Sequence, residues 1–247
     1  MNSLYLNSAN ADEYGGPIPY MNTVLTWYLK RFLPTRIDRR QTMYVSVLSA
    51  SIPCTFLNCD YFNNIFVYYD ENNIQHTLNI PQGNYNVATL ANWFNLNTAF
   101  TFTYNPITNH YMIQNNSNQE WKFSQLSTCQ ELLGLITEGD IESVNGAIES
   151  NSAVNFFTIR NIIILCPSLN TNNVNVQQQN NRNCLLSIPV TAGANSILVY
   201  QNTQGVRSEL DSYNQMNNFQ LVLIDQDGDY IDLNGAHWSI SLLFQIE

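Results

Sequence analysis

Charge is what this chain has least of. Lys, Arg, Asp and Glu make up 11 % of its 247 residues, nine of them basic and nineteen acidic, for a net charge of −10. A general nucleic-acid binder needs a basic footprint, so that class is excluded for the body of the chain. Long apolar runs are missing too: the longest unbroken one, Ile162 to Cys166, is five residues, against the roughly 20 that span a bilayer as a helix. The opening "MNSLYLNSANADEYGG" has no positive segment followed by an apolar one, so no secretory leader is expected. The five cysteines, Cys54, Cys59, Cys129, Cys166 and Cys184, are odd in number and form no C-x-x-C pair. Buried free thiols in a reducing, intracellular setting are expected from that pattern. No G-x-G-x-x-G, Walker loop, G-x-S-x-G or H-E-x-x-H occurs, so neither an enzyme nor a cofactor is expected.

What the chain does have is β-forming and uncharged polar residues. Hydrophobic residues are 45 % and aromatics 12 %, enough for a sizeable core at this length, and Asn is frequent. Residues 1–40, with Pro17, Pro19 and Pro34, read as an extended N-terminal arm. From Met43, "MYVSVLSASIP" alternates like a strand ending at Pro53. Two further strands flank the turn Glu71-Asn72-Asn73. Val87, Leu90, Ala91 and Phe94, behind Asn86 as N-cap, have the spacing of one amphipathic helix. A hairpin around Asn105-Pro106, a short strand "EWKFS" and a second helix follow, the helix opened by a capping box of Ser127 with Gln130 and stopped by Gly134. Residues 83–137 therefore read as a small α+β insertion, and 138–155 as loop. In "FFTIRNIIILC" one face carries Phe157, Ile159, Ile163 and Leu165 and the other Ile162 and Ile164, as in a central strand covered on both sides. The polar run 170–183 reads as a mobile loop. "CLLSIPV", "NSILVYQN", "NFQLVLI" and "HWSISLLFQI" are more strands, the last with Trp238, Ile240, Leu242 and Phe244 on one face. The fold class is all-β, a sandwich or jelly roll over 41–247.

Three features could carry chemistry. In "DQDGDYIDLNG", Asp225, Asp227 and Asp229 match the first ligand positions of an EF-hand loop, but Tyr230 and Ala236 stand where its glycine and glutamate belong. Turn chemistry accounts for the residues better: Asp227-Gly228 supplies the φ > 0 position of a hairpin and Asn234-Gly235 begins the final strand, so the last two strands are expected to pair. His76, His110 and His237 each sit singly in a strand pattern, as sheet-face residues. Lys30, Arg31, Arg36, Arg39 and Arg40 fall within eleven positions with Asp38 as their one acid, so that window is +4 and the rest of the chain −14. It is either a solvated linker or a docking site for an acidic neighbour or packaged nucleic acid, with Trp27, Tyr28 and Phe32 interleaved as anchors.

"LYLNSANA", "SVLSASIP", "IPQGNYNVATLANWFN", "LLGLIT" and "LVLIDQDGDYIDLNGAHWSISLLF", in this order, resemble the penton (minor capsid) proteins of virophages and Polinton-like viruses. The resemblance implies a single jelly-roll β-sandwich, often with an inserted domain, and no catalytic residues; no cofactor or metal is expected from the motifs either. It also implies a structural capsid role: homopentamers at icosahedral five-fold vertices, with a double-jelly-roll major capsid protein and other minor capsid proteins as partners. The virion is then the destination, and the host cytoplasm the place of synthesis. The Asn-rich surface would serve as interface. A soluble jelly-roll module binding carbohydrate through Trp93, Trp121 or surface tyrosines, or binding a protein, is the alternative.

Overall fold

The computed structural model of the chain describes residues 2–15, 24–28, 42–169, 183–210 and 219–247. Along the chain run β1 (Asn2–Asn7), β2 (Glu13–Gly15), β3 (Val24–Trp27) and β4 (Met43–Pro53). Then come β5 (Ile65–Tyr69), β6 (Gln75–Asn79), α1 (Val87–Asn97), β7 (Phe100–Asn105), β8 (His110–Asn115), β9 (Lys122–Phe123), α2 (Gln130–Leu133), β10 (Ile141–Glu142) and β11 (Ala147–Glu149). Last are β12 (Asn161–Leu165), β13 (Cys184–Pro189), β14 (Ile197–Gln201), β15 (Ser208–Glu209), β16 (Phe219–Ile224) and β17 (Ser239–Ile246). They form two compact units, Met1–Phe56 with Ile159–Glu247, and Leu57–Thr158.

In the first unit, one sheet has the order β1-β17-β4-β14 and the other β13-β12-β16-β3-β2, while β15 adds to β4. Without the edge pieces β2 and β15, and counted in chain order, the strands read 1-8-3-6 in one sheet and 2-7-4-5 in the other. All the pairs are antiparallel, and this order is that of a jelly roll, two Greek keys folded into a sandwich. Alternate side chains of both sheets meet between them: Leu6, Val45 and Leu242 from one, Leu25, Ile164 and Leu221 from the other. Trp238, Ile240, Leu242 and Phe244 all point into this core, as their spacing predicts.

Residues 2–15 and 24–28 are not an arm. β1 pairs along its whole length with β17, from Asn2↔Phe244 to Asn7↔Ser239, and β3 pairs with β16. They are the first and second strands of the jelly roll, which therefore starts at Asn2 and not at residue 41. Two short alternating runs, "LYL" and "VLTW", each bury one face, with Leu6 4 %, Leu25 0 % and Trp27 6 % exposed; a run of four to six residues is easily hidden among prolines and charges. Pro17, Pro19, Pro34 and the polar run 170–182 lie outside the described residues.

β4 shows how a pattern fault becomes a structural device. Met43, Val45 and Val47 face the core, Leu48 is exposed, and then Ala50 and Ile52 face the core, so the alternation changes phase. The register with β17 shifts at that point, Leu242 opposing Val47 and Ser241 opposing Ser49. This β-bulge absorbs one residue and keeps the apolar set on the buried face. β12 is buried on both faces, Ile162 and Ile164 in the main core and Ile163 and Leu165 with Val222 and Ile224. Phe157 is no part of it: the strand starts at Asn161 and the phenyl ring is exposed. Here the alternation continued upstream of the hydrogen-bonded ladder, which begins where Arg160 and Asn161 N–H groups donate to the Gln226 side chain.

The second unit packs α1 and the hairpin β7–β8 with the sheet β10-β9-β5-β6. Phe66 is its hub, with ring centroids of Phe94 at 5.3 Å, Phe123 at 5.6 Å and Phe100 at 5.9 Å. Because Phe66 on β5 and Ile148 on β11 share that core, the unit spans 57–158 and not 83–137 alone. The stretch 138–155 is not all loop, since β10 and β11 pair with β9 and β8. Asn86 caps α1 as expected, its Oδ1 accepting from Ala88 and Thr89 N–H while Thr89 Oγ1 accepts from Asn86 N–H. The Ser127–Gln130 box does not form. Ser127 is buried and its Oγ both accepts from Val67 N–H at 2.8 Å and donates to Val67 O at 3.1 Å, a tie to β5 that outcompetes capping of a one-turn helix.

Gly134 ends α2 at φ +62°, and a Cβ there would lie 2.2 Å from the Ser152 carbonyl oxygen. Cys54, Cys59, Cys129 and Cys166 are buried free thiols, and Cys184 is half-buried. Burial pushes the Cys59 thiol up to about 12 and raises those of Cys129 and Cys166 further. Two outcomes follow from this packing. Gly134→Ala lowers stability in urea unfolding by more than ~2 kcal/mol, while Gly139→Ala, with nothing within 4 Å of its Cβ, changes it by less than ~0.5 kcal/mol. At pH 8 a thiol-specific reagent modifies at most one cysteine rapidly in the native protein and all five in denaturant.

Candidate interaction surfaces

The aspartate-rich segment is occupied by its own backbone. Asp225 Oδ1 accepts from the N–H groups of Asp227 and Asp229, both at 2.9 Å, and Asp232 Oδ1 accepts from Asn234 N–H at 2.7 Å. Burial raises the Asp225 carboxyl above its ordinary value, and the N–H groups of Asp229 and Asp227 oppose the shift. Gly228, Asn234 and Gly235 take positive φ of 94°, 51° and 76°, as tight turns require. Among the described residues no three His, Cys, Asp or Glu side chains come together as a metal-binding group.

The strands on either side of this segment do not pair with each other. β16 belongs to one sheet and β17 to the other, so the segment carries the chain across the end of the sandwich. An isolated bridge, Ile224↔Tyr230, closes the first turn, and Ile231 and Leu233, each 1 % exposed, then join the core. The sequence shows turn residues between two strands but not which sheet each strand joins. Gln226, buried in this segment, was not recognisable as structural: its Oε1 accepts from Arg160 and Asn161 N–H and its Nε2 donates to Asp227. Only its place between aspartates hints at a turn role.

The three histidines are dispersed. His76 lies on β6, its Nε2 3.0 Å from Asp70 Oδ2 and its ring stacked on Tyr68 at 4.9 Å. Asp70 is held below the usual carboxylate range by His76 and by the Ile74 N–H; with its other oxygen accepting from Asn72 and Ile74 N–H, it organises the β5–β6 turn. His110 Nδ1 is 3.6 Å from Glu149 on the neighbouring strand. His237 precedes β17 instead of lying in it, and is exposed. Its Nδ1 is 3.2 Å from Ser8 Oγ, which also accepts from Trp238 N–H at 2.8 Å. Ser8 is 1 % exposed, and the Ser–His contact fastens the chain just after β1 to the chain just before β17.

Trp121 is buried, its Nε1 donating to Gly146 O at 2.9 Å, and cannot stack on a sugar. Trp93 is half-buried against Phe94. The basic residues Lys30, Arg31, Arg36, Arg39 and Arg40 lie outside the described residues. Within the chain, asparagine shapes the backbone. All six non-glycine residues at positive φ among those described are Asn, namely Asn73, Asn109, Asn118, Asn145, Asn195 and Asn234. Others tie distant backbone together, as Asn58 does with both N–H and C=O of Tyr85, 27 residues away.

The sheet β1-β17-β4-β14 is the surface that stands out. None of its strands contains a charged residue. Its outward positions run Tyr5, Ser241, Ser49 across one row and Asn7, Ser239, Ser51, Val199 across the next. Small hydroxyls in the middle are bordered by Tyr5, Ile197 and Val199, exposed by 65, 61 and 62 %. Such a face suits contact with another protein surface, and its charges gather at the end beside β15, where Glu209 is exposed and Arg207 lies over the Tyr44 ring.

No protein family model matches the sequence, and no curated protein does. Among solved structures, the chain is similar to that of the mavirus penton protein, with a TM-score of 0.50 and 12 % identity over 100 % of both chains. A likeness at that identity is one of fold. The chain has a penton-like, all-β jelly-roll fold, interrupted in the chain between its third and fourth strands by an α+β unit.

Proposed function

We propose that this chain is a structural capsid protein, a penton-type subunit that forms homopentamers at the five-fold vertices of an icosahedral viral particle. The observation that carries the reading is the correspondence of fold with the mavirus penton protein over the whole of both chains. The uncharged strands agree with it, because a subunit built for edge-to-edge contact has no use for charge on those edges. In such a ring the contact is heterologous and closes on itself. Its partners are further copies of itself, a double-jelly-roll major capsid protein and other minor capsid proteins, and its place is the virion, after synthesis in the host cytoplasm. The basic residues between 30 and 40 attach the subunit to an acidic neighbour or to packaged nucleic acid by a salt-dependent contact. The chain acts by assembly and not by catalysis.

Native mass measurement of the purified chain gives a pentamer, or monomers that convert to pentamers as concentration rises; a monomer at every concentration counts against the reading. In a particle reconstruction the chain occupies the five-fold vertices, and density elsewhere removes the penton assignment. Reversal of charge at Arg36, Arg39 and Arg40 leaves thermal unfolding unchanged and lowers incorporation into particles, whereas normal incorporation refutes docking by the basic window.

A further inference from the structure

The chain contains two Asn-Gly pairs, and each is followed by alanine: Asn145-Gly146-Ala147 and Asn234-Gly235-Ala236. The two share a backbone as well. Positive φ at both central residues, 54° and 72° in the first and 51° and 76° in the second, makes each a type I′ turn. In each the alanine N–H donates to the carbonyl three residues back, Val144 O at 3.1 Å and Leu233 O at 2.9 Å. In sequence and local geometry the two turns are alike.

Asn-Gly is the most labile setting an asparagine can have, because glycine has no Cβ to shield its nitrogen. When that nitrogen loses its proton to water, it bonds to the asparagine Cγ, and the side-chain nitrogen leaves as ammonia. One water then opens the cyclic imide at either carbonyl, leaving aspartate or isoaspartate. One water enters, one ammonia departs, and nothing is oxidised or reduced. In a type I′ turn, however, the asparagine Cβ and the following nitrogen lie on opposite sides of the Cα–C bond between them, so the ring closes only after the turn has opened.

What surrounds the two turns decides which of them opens. Gly146 is buried, its carbonyl accepting from Asn115 N–H and Trp121 Nε1, both at 2.9 Å, while Gln114 Nε2 donates to Asn145 O at 3.3 Å. The Glu120 carboxylate, bonded by Ser143 Oγ, lies against the N–H groups of Gly146 and Asn145, and a negative charge there opposes loss of the Gly146 proton. A Cβ on Gly146 would stand 2.9 Å from the Asn118 carbonyl carbon. Around the second turn there is space. Asn234 and Gly235 are exposed, and a Cβ on Gly235 would meet nothing within 4 Å. Among the described residues no group bonds the Asn234 side chain or the Gly235 N–H, and besides the Ala236 bond the turn is held by Asp232 Oδ1, which accepts from Asn234 N–H at 2.7 Å.

We propose that Asn234 is a site of covalent self-modification, converting with water to isoaspartate and aspartate, and that the packing of the first turn keeps Asn145 intact. Isoaspartate routes the main chain through its side chain and so adds one carbon between Leu233 and Trp238, which are 1 % and 2 % exposed; a close-packed core that fits one spacing is loosened by another. The full chain is incubated in mildly alkaline buffer, native and in denaturant, then mapped by peptide mass spectrometry with an isoaspartate assay. In the native chain Asn234 converts at least ~10-fold faster than Asn145, and in denaturant the two rates agree within about 2-fold, since only local opening separates them. Asn234→Gly, which keeps the left-handed turn and has no amide, loses most of the native isoaspartate signal. After incubation this variant unfolds at a higher temperature than the wild type. Equal rates at the two sites in the native chain, a faster Asn145, or an Asn234 that stays intact while the denatured chain converts overturns the inference. An isoaspartate signal unchanged by Asn234→Gly does the same, and equal unfolding temperatures after incubation remove the effect on the core.

Discussion

The structure depends on β17 pairing with β1 on one side and β4 on the other. That ladder runs from Asn2↔Phe244 to Asn7↔Ser239 and, on the opposite edge, from Ser239↔Ser51 to Ile246↔Met43. It places the first and last strands of the jelly roll side by side in one sheet, so that sheet is not complete until the final residues are in place. Long-range pairing of this kind costs loop-closure entropy before any contact offsets it, and the burial of Leu6, Ile240, Leu242 and Phe244 along the same strands supplies the offset. Ser8 and Thr42 extend the ladder at its two ends by backbone bonds to Trp238 and Glu247.

A chain poor in charge must obtain solubility and turn geometry from other side chains, and here asparagine provides much of both. It tolerates the left-handed backbone that hairpins need, because its short amide can bond locally where other side chains meet only steric cost. Six such positions, with capping at Asn86 and the bonds of Asn58 to the backbone of Tyr85, account for part of its abundance within the fold itself. What turns do not account for is the outer face of the sheet β1-β17-β4-β14. There small serines and exposed Tyr5, Ile197 and Val199 leave a surface on which a protein neighbour can sit closely.

Much of this was legible beforehand where a segment decides its own conformation. The α1 helix followed from apolar spacing and Asn86, the β5–β6 and β7–β8 hairpins from turn residues, and the last strand from four apolar residues on one face. The illegible parts were those where a distant group wins. Ser127 has the sequence of a cap, yet bonds to Val67, sixty residues away. Trp121, an apparent stacking platform, is buried by the rings around Phe66. Gln226 holds the start of β12 from the far end of the chain.

The amino-acid sequence by itself determined the alternation that makes strands, the positions of the turns and the scarcity of charge along the chain. Periods of two residues and of 3.6 residues are local properties, and a chain displays them before it folds. Only the tertiary structure decided which strands share a sheet. It made strands of residues first read as an arm, and put β16 and β17 in opposite sheets although a turn-rich segment links them. Pairing partners are chosen by the one arrangement that buries every apolar face at once, and that condition belongs to the whole chain and not to any segment of it.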